Sequence, residues 1–221
     1  ASRMIIGMWK MAQTVPAISP AMKQDMPEVV EAVRIVHTSP LMADPVMQAG
    51  EKSFRESRIY YADAPFLEMF SYPMASGSAA KVLAGPDQVA ISESMARKYF
   101  GDEDAMGKLL TFHRGERGIN VLKIMGVFAD VPSNSHLHTD FVISFTSIGV
   151  GNGLDNDWEW GNFYNYVRLA PGADLDRLRR AYRQFAAEAT PKDETPRSYA
   201  TGSEWSSRRG HPGGCRRRRP S

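Results

Sequence analysis

The chain has 221 residues, 43% hydrophobic and 24% charged, with a formal net charge of +2, which is the profile of a globular domain with one sizeable core or two small lobes. No stretch reaches the roughly 18 apolar residues of a membrane helix, and the single cysteine, Cys215, excludes an intrachain disulfide. From Lys192 onward eight Lys/Arg stand against three carboxylates, a net of +5; taking that from +2 leaves −3 for residues 1–191, so the globular part offers no basic surface for nucleic acid.

Residues 1–15, with Met4, Met8 and Met11, show no clear period and read as an irregular N-terminal segment; they carry neither an anchor nor a secretory cleavage pattern. Pro16 and Pro20 then bracket a start signal, and residues 21–26 read as a short helix stopped before Pro27. Val33 and Ile35 with Arg34 between them predict a strand over residues 31–39, and two more are expected over 46–53 and 54–63. Residues 64–70 suggest one or two helical turns, and Gly77 with the small residues after it a surface loop.

The clearest local pattern runs from Gln88 to Gly101. Val89 to Ile91 finish a short strand, and Ser92 is placed to cap a helix. Glu93 then sits at the positive end of the helix dipole, with Arg97 and Lys98 at the negative end. Met95 with Tyr99 and Ala96 with Phe100 stack four apart on the buried side, and Gly101 ends the helix. Further strands are expected over 108–113, 121–129, 141–145 and 165–169, with turns at Gly115–Gly118 and over 130–135. Asp174 caps a last helix whose apolar positions Leu175, Leu178, Tyr182 and Phe185 follow the 3.6 period. Strands outnumber scattered helices, so the fold class is α+β, with mixed sheets and a few short helices. Residues 191–221 hold Ser, Thr, Pro, Gly and Arg with almost no aliphatic side chain, and are predicted to be a disordered tail.

Three groups of residues raise the question of chemistry. His136, His138 and Asp140 stand at alternate positions, which on a strand would face one side and suggest zinc, but a zinc site wants three or four fixed ligands. Ser92 and Ser94 have no nucleophile elbow around them, and Ser92 is already explained as a cap. Asp102, Glu103 and Asp104 read as a solvated loop without the spacing of a calcium site. No catalytic, metal or cofactor residue is therefore assigned. Trp158, Trp160, Phe163, Tyr164 and Tyr166 form an aromatic group between glycines; packing explains them first, and Trp158, Trp160, Phe163 and Tyr164 are the candidates for a partner or substrate surface.

The order and spacing of several segments carry a resemblance. These are Phe66-Leu-Glu-Met-Phe-Ser-Tyr-Pro-Met, then Val89-Ala-Ile-Ser-Glu-Ser-Met-Ala-Arg-Lys-Tyr-Phe-Gly, Ile124-Met-Gly-Val-Phe-Ala-Asp-Val-Pro-Ser-Asn-Ser-His-Leu, and Asp140-Phe-Val-Ile-Ser-Phe. With the helix after Pro16 and the aromatic segment 158–166, they resemble the MacB-like periplasmic core domain of FtsX-like ABC-transporter permeases of the macrolide-exporter and lipoprotein-release type. The resemblance covers most of residues 13–190, and the core domain itself is expected over 16–190.

The resemblance implies a non-catalytic domain on the periplasmic side of the bacterial cytoplasmic membrane, set between two membrane helices. Such a domain has a membrane-proximal lobe built from both ends of the chain and a membrane-distal lobe from its middle. The implied partners are an ABC ATPase subunit or domain, a second permease copy and a periplasmic adaptor, with no specific nucleic acid and no cofactor. It further implies that the histidine of Ser135-His136-Leu137 holds backbone in a turn. Against the family pattern, the first membrane helix and first strand expected before Pro16 are missing, and the Arg-rich run after Thr190 reads more like an out-of-frame translation than a native segment. The competing readings are a free-standing extracytoplasmic binding or adaptor domain and a metal-dependent hydrolase built on the His136 region.

Overall fold

β-branched and aromatic side chains favour extended backbone wherever a pleated face can be buried. The structure, a computed structural model, describes residues 4–6, 14–43, 45–148 and 153–189; the side chains of residues 4–6 and 184–189, Phe185 among them, lie outside that part, as does the tail at 191–221. In chain order the elements are β1 (Met4–Ile6), α1 (Ile18–Asp25), β2 (Val29–His37), β3 (Val46–Ala49), β4 (Lys52–Arg55) and β5 (Ile59–Ala62). There follow α2 (Phe66–Met69), β6 (Met74–Gly77), β7 (Gln88–Ser92), α3 (Glu93–Phe100), β8 (Leu109–His113) and β9 (Ile119–Phe128). The last are β10 (Phe141–Ser144), β11 (Tyr164–Leu169) and α4 (Leu175–Ala189).

The strands join one eleven-stranded sheet in the order β1-β11-β2-β5-β10-β7-β9-β8-β3-β4, with β6 also paired to β9. Two pairs are parallel, β5 with β10 and β7 with β9, and the others antiparallel, so the α+β class with mixed pairing holds. One hydrogen-bonded path runs through the whole sheet. Its two margins nevertheless differ in origin: β1, β11 and β2 bring the two ends of the domain together, while β8, β3 and β4 come from its middle.

Alternation along each strand sorts side chains onto two faces. One face carries Ile59, Tyr61, Phe141, Ile143, Val89, Ile91, Leu122 and Ile124 and is covered by α3. The other carries Val33, Ile35, Ala62, Val142 and Ala90 and is covered by α2 with Tyr72, Val82 and Leu83. A smaller core of Met22, Met26, Val29, Val167, Leu169 and Leu178 ties α1 and α4 to the margin where the ends meet.

Helix α3 follows its local code. The Ser92 hydroxyl accepts the Met95 N–H at 3.3 Å, and Gly101, at φ +67°, closes the helix. Lys52 reaches across from β4 to donate to the Tyr99 carbonyl at 3.0 Å, satisfying a helix-end acceptor.

Several expectations need correction. Residues 1–15 are not irregular throughout, and the first strand is present: β1 pairs with β11 from Met4↔Arg168 to Ile6↔Tyr166, and Thr14 bridges to Phe163. Its partner lies about as far away in sequence as the domain allows, so no local pattern announces it. Helix α1 begins at Ile18 rather than Ala21, because Pro20 falls in the first turn, where its missing N–H costs nothing. The strand expected over 46–53 is instead the hairpin β3–β4, turned at Gly50 with φ +57°. Gly77 belongs to a strand and not a loop: a β-carbon there would lie 2.5 Å from the Met125 carbonyl oxygen, so only glycine lets β6 approach β9 this closely.

Tyr99 is 3% exposed and its hydroxyl donates to Glu56 Oε1 at 2.7 Å, whereas Phe100 is only partly buried. Tyr99→Ala is expected to lower the unfolding free energy by about 3–5 kcal/mol, and Phe100→Ala by less; urea denaturation of the two variants side by side measures the difference.

Candidate functional site

Strand β2 reads Val-Val-Glu-Ala-Val-Arg-Ile-Val-His, with one cation in an apolar run. Arg34 is 7% exposed, and a buried guanidinium requires counter-charge and hydrogen bonds to stay ionised. Asp63, just beyond β5, supplies both: Arg34 Nε and Nη2 each donate to its carboxylate at 2.9 Å, and the Arg34 backbone N–H donates to the same group at 2.7 Å. The planar fork matches the carboxylate in two parallel bonds. Nη1 donates to Asp155 at 2.5 Å, and the guanidinium lies 4.0 Å from the centroid of the Phe145 ring. Burial alone would lower the Arg34 pKa, but hydrogen bonding and charge from Asp63 and then Asp155 outweigh it and raise it above the usual arginine value.

Beside this pair opens a cleft of about 300 Å³, lined among others by Arg34, Asp63, Lys23, Glu31, Ser144 and Thr146. Its charges are matched, Arg34 with Asp63 and Lys23 with Glu31. The Ser144 hydroxyl donates to the Leu83 carbonyl at 2.9 Å and lies 2.8 Å from Thr146 Oγ1, and the Ser19 hydroxyl bonds Asn165. These serines have structural partners and no histidine beside them, an arrangement that holds elements together and does not activate a nucleophile.

The same arginine fixes the aromatic segment. Asp155 sits in a single 3-10 turn, Leu154–Asn156. Two residues on, Asp157 Oδ1 accepts the backbone N–H groups of Glu159 at 2.9 Å and Trp160 at 3.0 Å, while its carbonyl accepts from Ala17 at the start of α1. The start of the segment is thus tied to β2 through Asp155 and to α1 through Asp157, and its far end to Thr14 through Phe163. Trp160 meets Phe163 edge-on, ring centroids 4.9 Å apart at 89°.

The four aromatic candidates do not form one surface. Phe163 is 0% exposed and packs in the α3-side core, so it is no surface residue. Tyr164 follows it, points to the opposite face and packs beside Tyr166 on the α2 side. Trp158 and Trp160 are half-buried on the tethered segment.

The histidine group is also dispersed. Residues 136–140 are not a strand. His136 Nε2 lies 3.4 Å from the Tyr166 hydroxyl, Asp140 pairs with Arg58 at 2.9 Å, and among the described residues no three His, Cys, Asp or Glu side chains group to hold a metal. The backbone of the turn is held by Ser135 and not His136: the Ser135 hydroxyl accepts from Leu137 N–H and donates to Leu137 O, both at 3.2 Å. Ser94 donates through its N–H at 3.0 Å and its hydroxyl at 2.5 Å to Asp130, with Arg97 3.6 Å away. Burial alone would raise the Asp130 pKa; the bonds from Ser94 and Ser92 and the Arg97 charge outweigh it and hold the carboxyl below its usual range.

A family model described as the MacB-like periplasmic core domain matches residues 3–185. Among solved structures, a domain of a candidate permease protein from Porphyromonas gingivalis is similar with a TM-score of 0.68 at 26% identity, covering 83% of this chain and 81% of that one. The periplasmic region of MacB from Actinobacillus actinomycetemcomitans is similar with a TM-score of 0.59, covering 82% of this chain and 77% of that one; at 12% identity it speaks for the fold alone. A comparison with the curated proteins finds no match.

Arg34→Met removes the cation from Asp63 and is expected to cost about 3 kcal/mol, the low end for a broken buried pair because the Asp63 side chain is 19% exposed. Lys23→Met, at a more exposed pair, should cost about 0–1 kcal/mol in the same urea titration. The depressed Asp130 pKa gives a pH signature. Its stabilising contribution is complete above the ordinary aspartate value of about 3.9 and is lost as the pH falls through the lower folded-state value. The acid limb of a plot of urea midpoint against pH should therefore be shallower in Asp130→Asn than in the parent chain.

Proposed function

The chain belongs to the family of MacB-like periplasmic core domains, and from that premise we propose that it is the extracytoplasmic domain of an ABC-transporter permease, coupling cytoplasmic ATP hydrolysis to export or release of a substrate without catalysing a reaction itself. On this reading it stands on the periplasmic side of the cytoplasmic membrane, and the membrane helices of the permease flank it. No helix among the described residues is long and apolar enough to cross a membrane. Its partners are an ABC ATPase subunit or domain, a second permease copy and a periplasmic adaptor.

The observation that carries the proposal is the strand order. Both ends of the domain arrive at one margin of the sheet, on β1, β11 and β2, and the middle of the chain forms the opposite margin on β8, β3 and β4. A displacement applied where the ends enter is passed to the far margin through a continuous ladder of backbone hydrogen bonds. A close-packed interior supports this, because packed cores shift as units and do not deform locally. The half-buried Trp158 and Trp160, which follow the Asp155 and Asp157 ties to β2 and α1, are the proposed contact for a partner or substrate near the entry margin.

The test uses the full-length permease with its ATPase in proteoliposomes. Replacing Trp158 and Trp160 together by Ala is expected to reduce transport or release at least about tenfold, equivalent to about 1.4 kcal/mol of lost coupling, while ATP hydrolysis continues. Parallel loss of both activities would remove the coupling role. Turnover of an ester, peptide or phosphate by the isolated chain, abolished in His136→Ala, would replace the reading with an enzymatic one.

A further inference from the structure

Helix α4 carries four arginines in seven residues, Arg177-Leu-Arg-Arg-Ala-Tyr-Arg183. Its apolar positions are already used: Leu175, Leu178, Ala181 and Tyr182 pack with Met22, Met26, Val29, Val167 and Leu169. The 3.6 period turns the arginines away from that core, and Arg177, Arg179, Arg180 and Arg183 are all exposed.

The charges of this helix oppose those of the rest of the domain. Asp174 is engaged in capping, accepting the backbone N–H groups of residues 176 and 177 at 2.9 and 3.0 Å. Asp176 pairs with Arg179 at 3.1 Å, and Glu28 with Arg177 at 3.4 Å. These arginine side chains are 48% and 69% exposed, and surface pairs of this kind are weak enough to exchange for a stronger acceptor. Residues 174–183 hold four cations against two carboxylates, a net of +2, whereas residues 1–173 hold fifteen Lys/Arg against nineteen Asp/Glu, a net of −4. An anionic surface therefore repels the body of the domain and attracts this one helix, which sets the orientation of approach.

What the face lacks says what it fits. A protein interface is anchored by large apolar or aromatic side chains at its centre. Among the described residues the large hydrophobics left exposed, Val30, Phe54, Leu109, Ile119 and Val121, all lie off α4. A row of guanidiniums without an apolar centre matches an array of phosphates, whose oxygens each planar fork can take two at a time.

Position selects the array. Strand β1 enters the sheet with Met4 opposite Arg168, and α4 starts at Leu175, soon after β11 ends at Leu169. Arg177 is held to Glu28, beside the start of β2. On the permease reading, on which the location rests, a membrane helix precedes β1, so the first turns of α4 stand at the end of the sheet that faces the bilayer.

We propose that the arginine face of α4, formed by Arg177, Arg179, Arg180 and Arg183, rests on the anionic phosphodiester headgroups of the membrane and fixes the tilt of the domain above it. Each basic residue near an anionic surface multiplies binding roughly fivefold, so four together give on the order of several hundredfold. That is weak for a free domain and sufficient for one already tethered beside the lipid, where the headgroup concentration is high.

Co-sedimentation of the 221-residue chain with phosphatidylcholine vesicles, plain or containing about one-third phosphatidylglycerol, at millimolar lipid tests the contact. In every sample Arg208, Arg209 and Arg216 to Arg219 are replaced by Gln, which removes the arginine runs of the tail. The expected result is binding to the anionic vesicles and not to the plain ones. Arg180→Gln with Arg183→Gln should lower the partition coefficient at least about tenfold, and Arg180→Glu with Arg183→Glu at least about fiftyfold. The control pair Lys81→Glu with Lys123→Glu, also exposed and equal in charge change, should lower it less than about threefold. No binding to the anionic vesicles, equal binding to both kinds, or an equal loss in the control pair each overturns the proposal. Transport by the full-length permease in proteoliposomes separates it from the permease reading: transport without vesicle binding removes the lipid contact alone, and vesicle binding without transport removes the permease role alone.

Discussion

An arginine inside a sheet must take its counter-charge in with it. In this domain that requirement is met across the fold: Arg34 on β2 is answered by Asp63 after β5, by Asp155 on a distant turn, and by the face of Phe145 after β10. Four chain segments separated by up to 121 positions are brought to one point. Breaking the Asp63 contact would leave the buried guanidinium without its main counter-charge, while Asp155, 69% exposed, and the Phe145 ring add to the same point. A hydrophobic substitute could pack the same space, but it would not dictate which turn lies over which strand. The directional fork of the guanidinium does.

The apolar bulk of the domain works differently. Two large cores lie on opposite faces of one sheet, each under a short helix, and a third small core binds α1 and α4 to the margin where the chain ends meet. None of these contacts is directional. What they supply is stiffness: strands buried on both faces, such as β7 and β10, cannot slide by one residue without turning every buried side chain into the wrong core. The middle of the sheet is thereby rigid, and the exposed outward face of β8 and β9 rides on it as a fixed platform.

How much of this was legible in the sequence depended on the range of the interaction responsible. Helix α3 could be read because its cap, charges, buried pairs and terminal glycine all lie within ten residues of Ser92. The α+β class followed from the strand count. The β3–β4 hairpin was hidden because one glycine at position 50 does not look different from a glycine inside a longer strand until its φ is known. Strand β1 was hidden because three residues acquire a strand's geometry only from β11. Arg34 appeared merely as the polar residue between Val33 and Ile35; its partners are far off in sequence, although a lone cation in a nine-residue apolar strand was a visible signal. Phe163 and Tyr164 looked like one aromatic surface, and strand parity alone divides them between two faces.

The pairing of β2 also bears on how the domain is made. One edge of β2 is paired by β5 soon after it is synthesised, but the other waits for β11, whose first residue, Tyr164, comes long after His37. At roughly 5–20 residues per second a ribosome needs on the order of ten seconds to cover that interval. For that time the open edge of β2 is a template for any passing strand, and only pairing with β11 closes it.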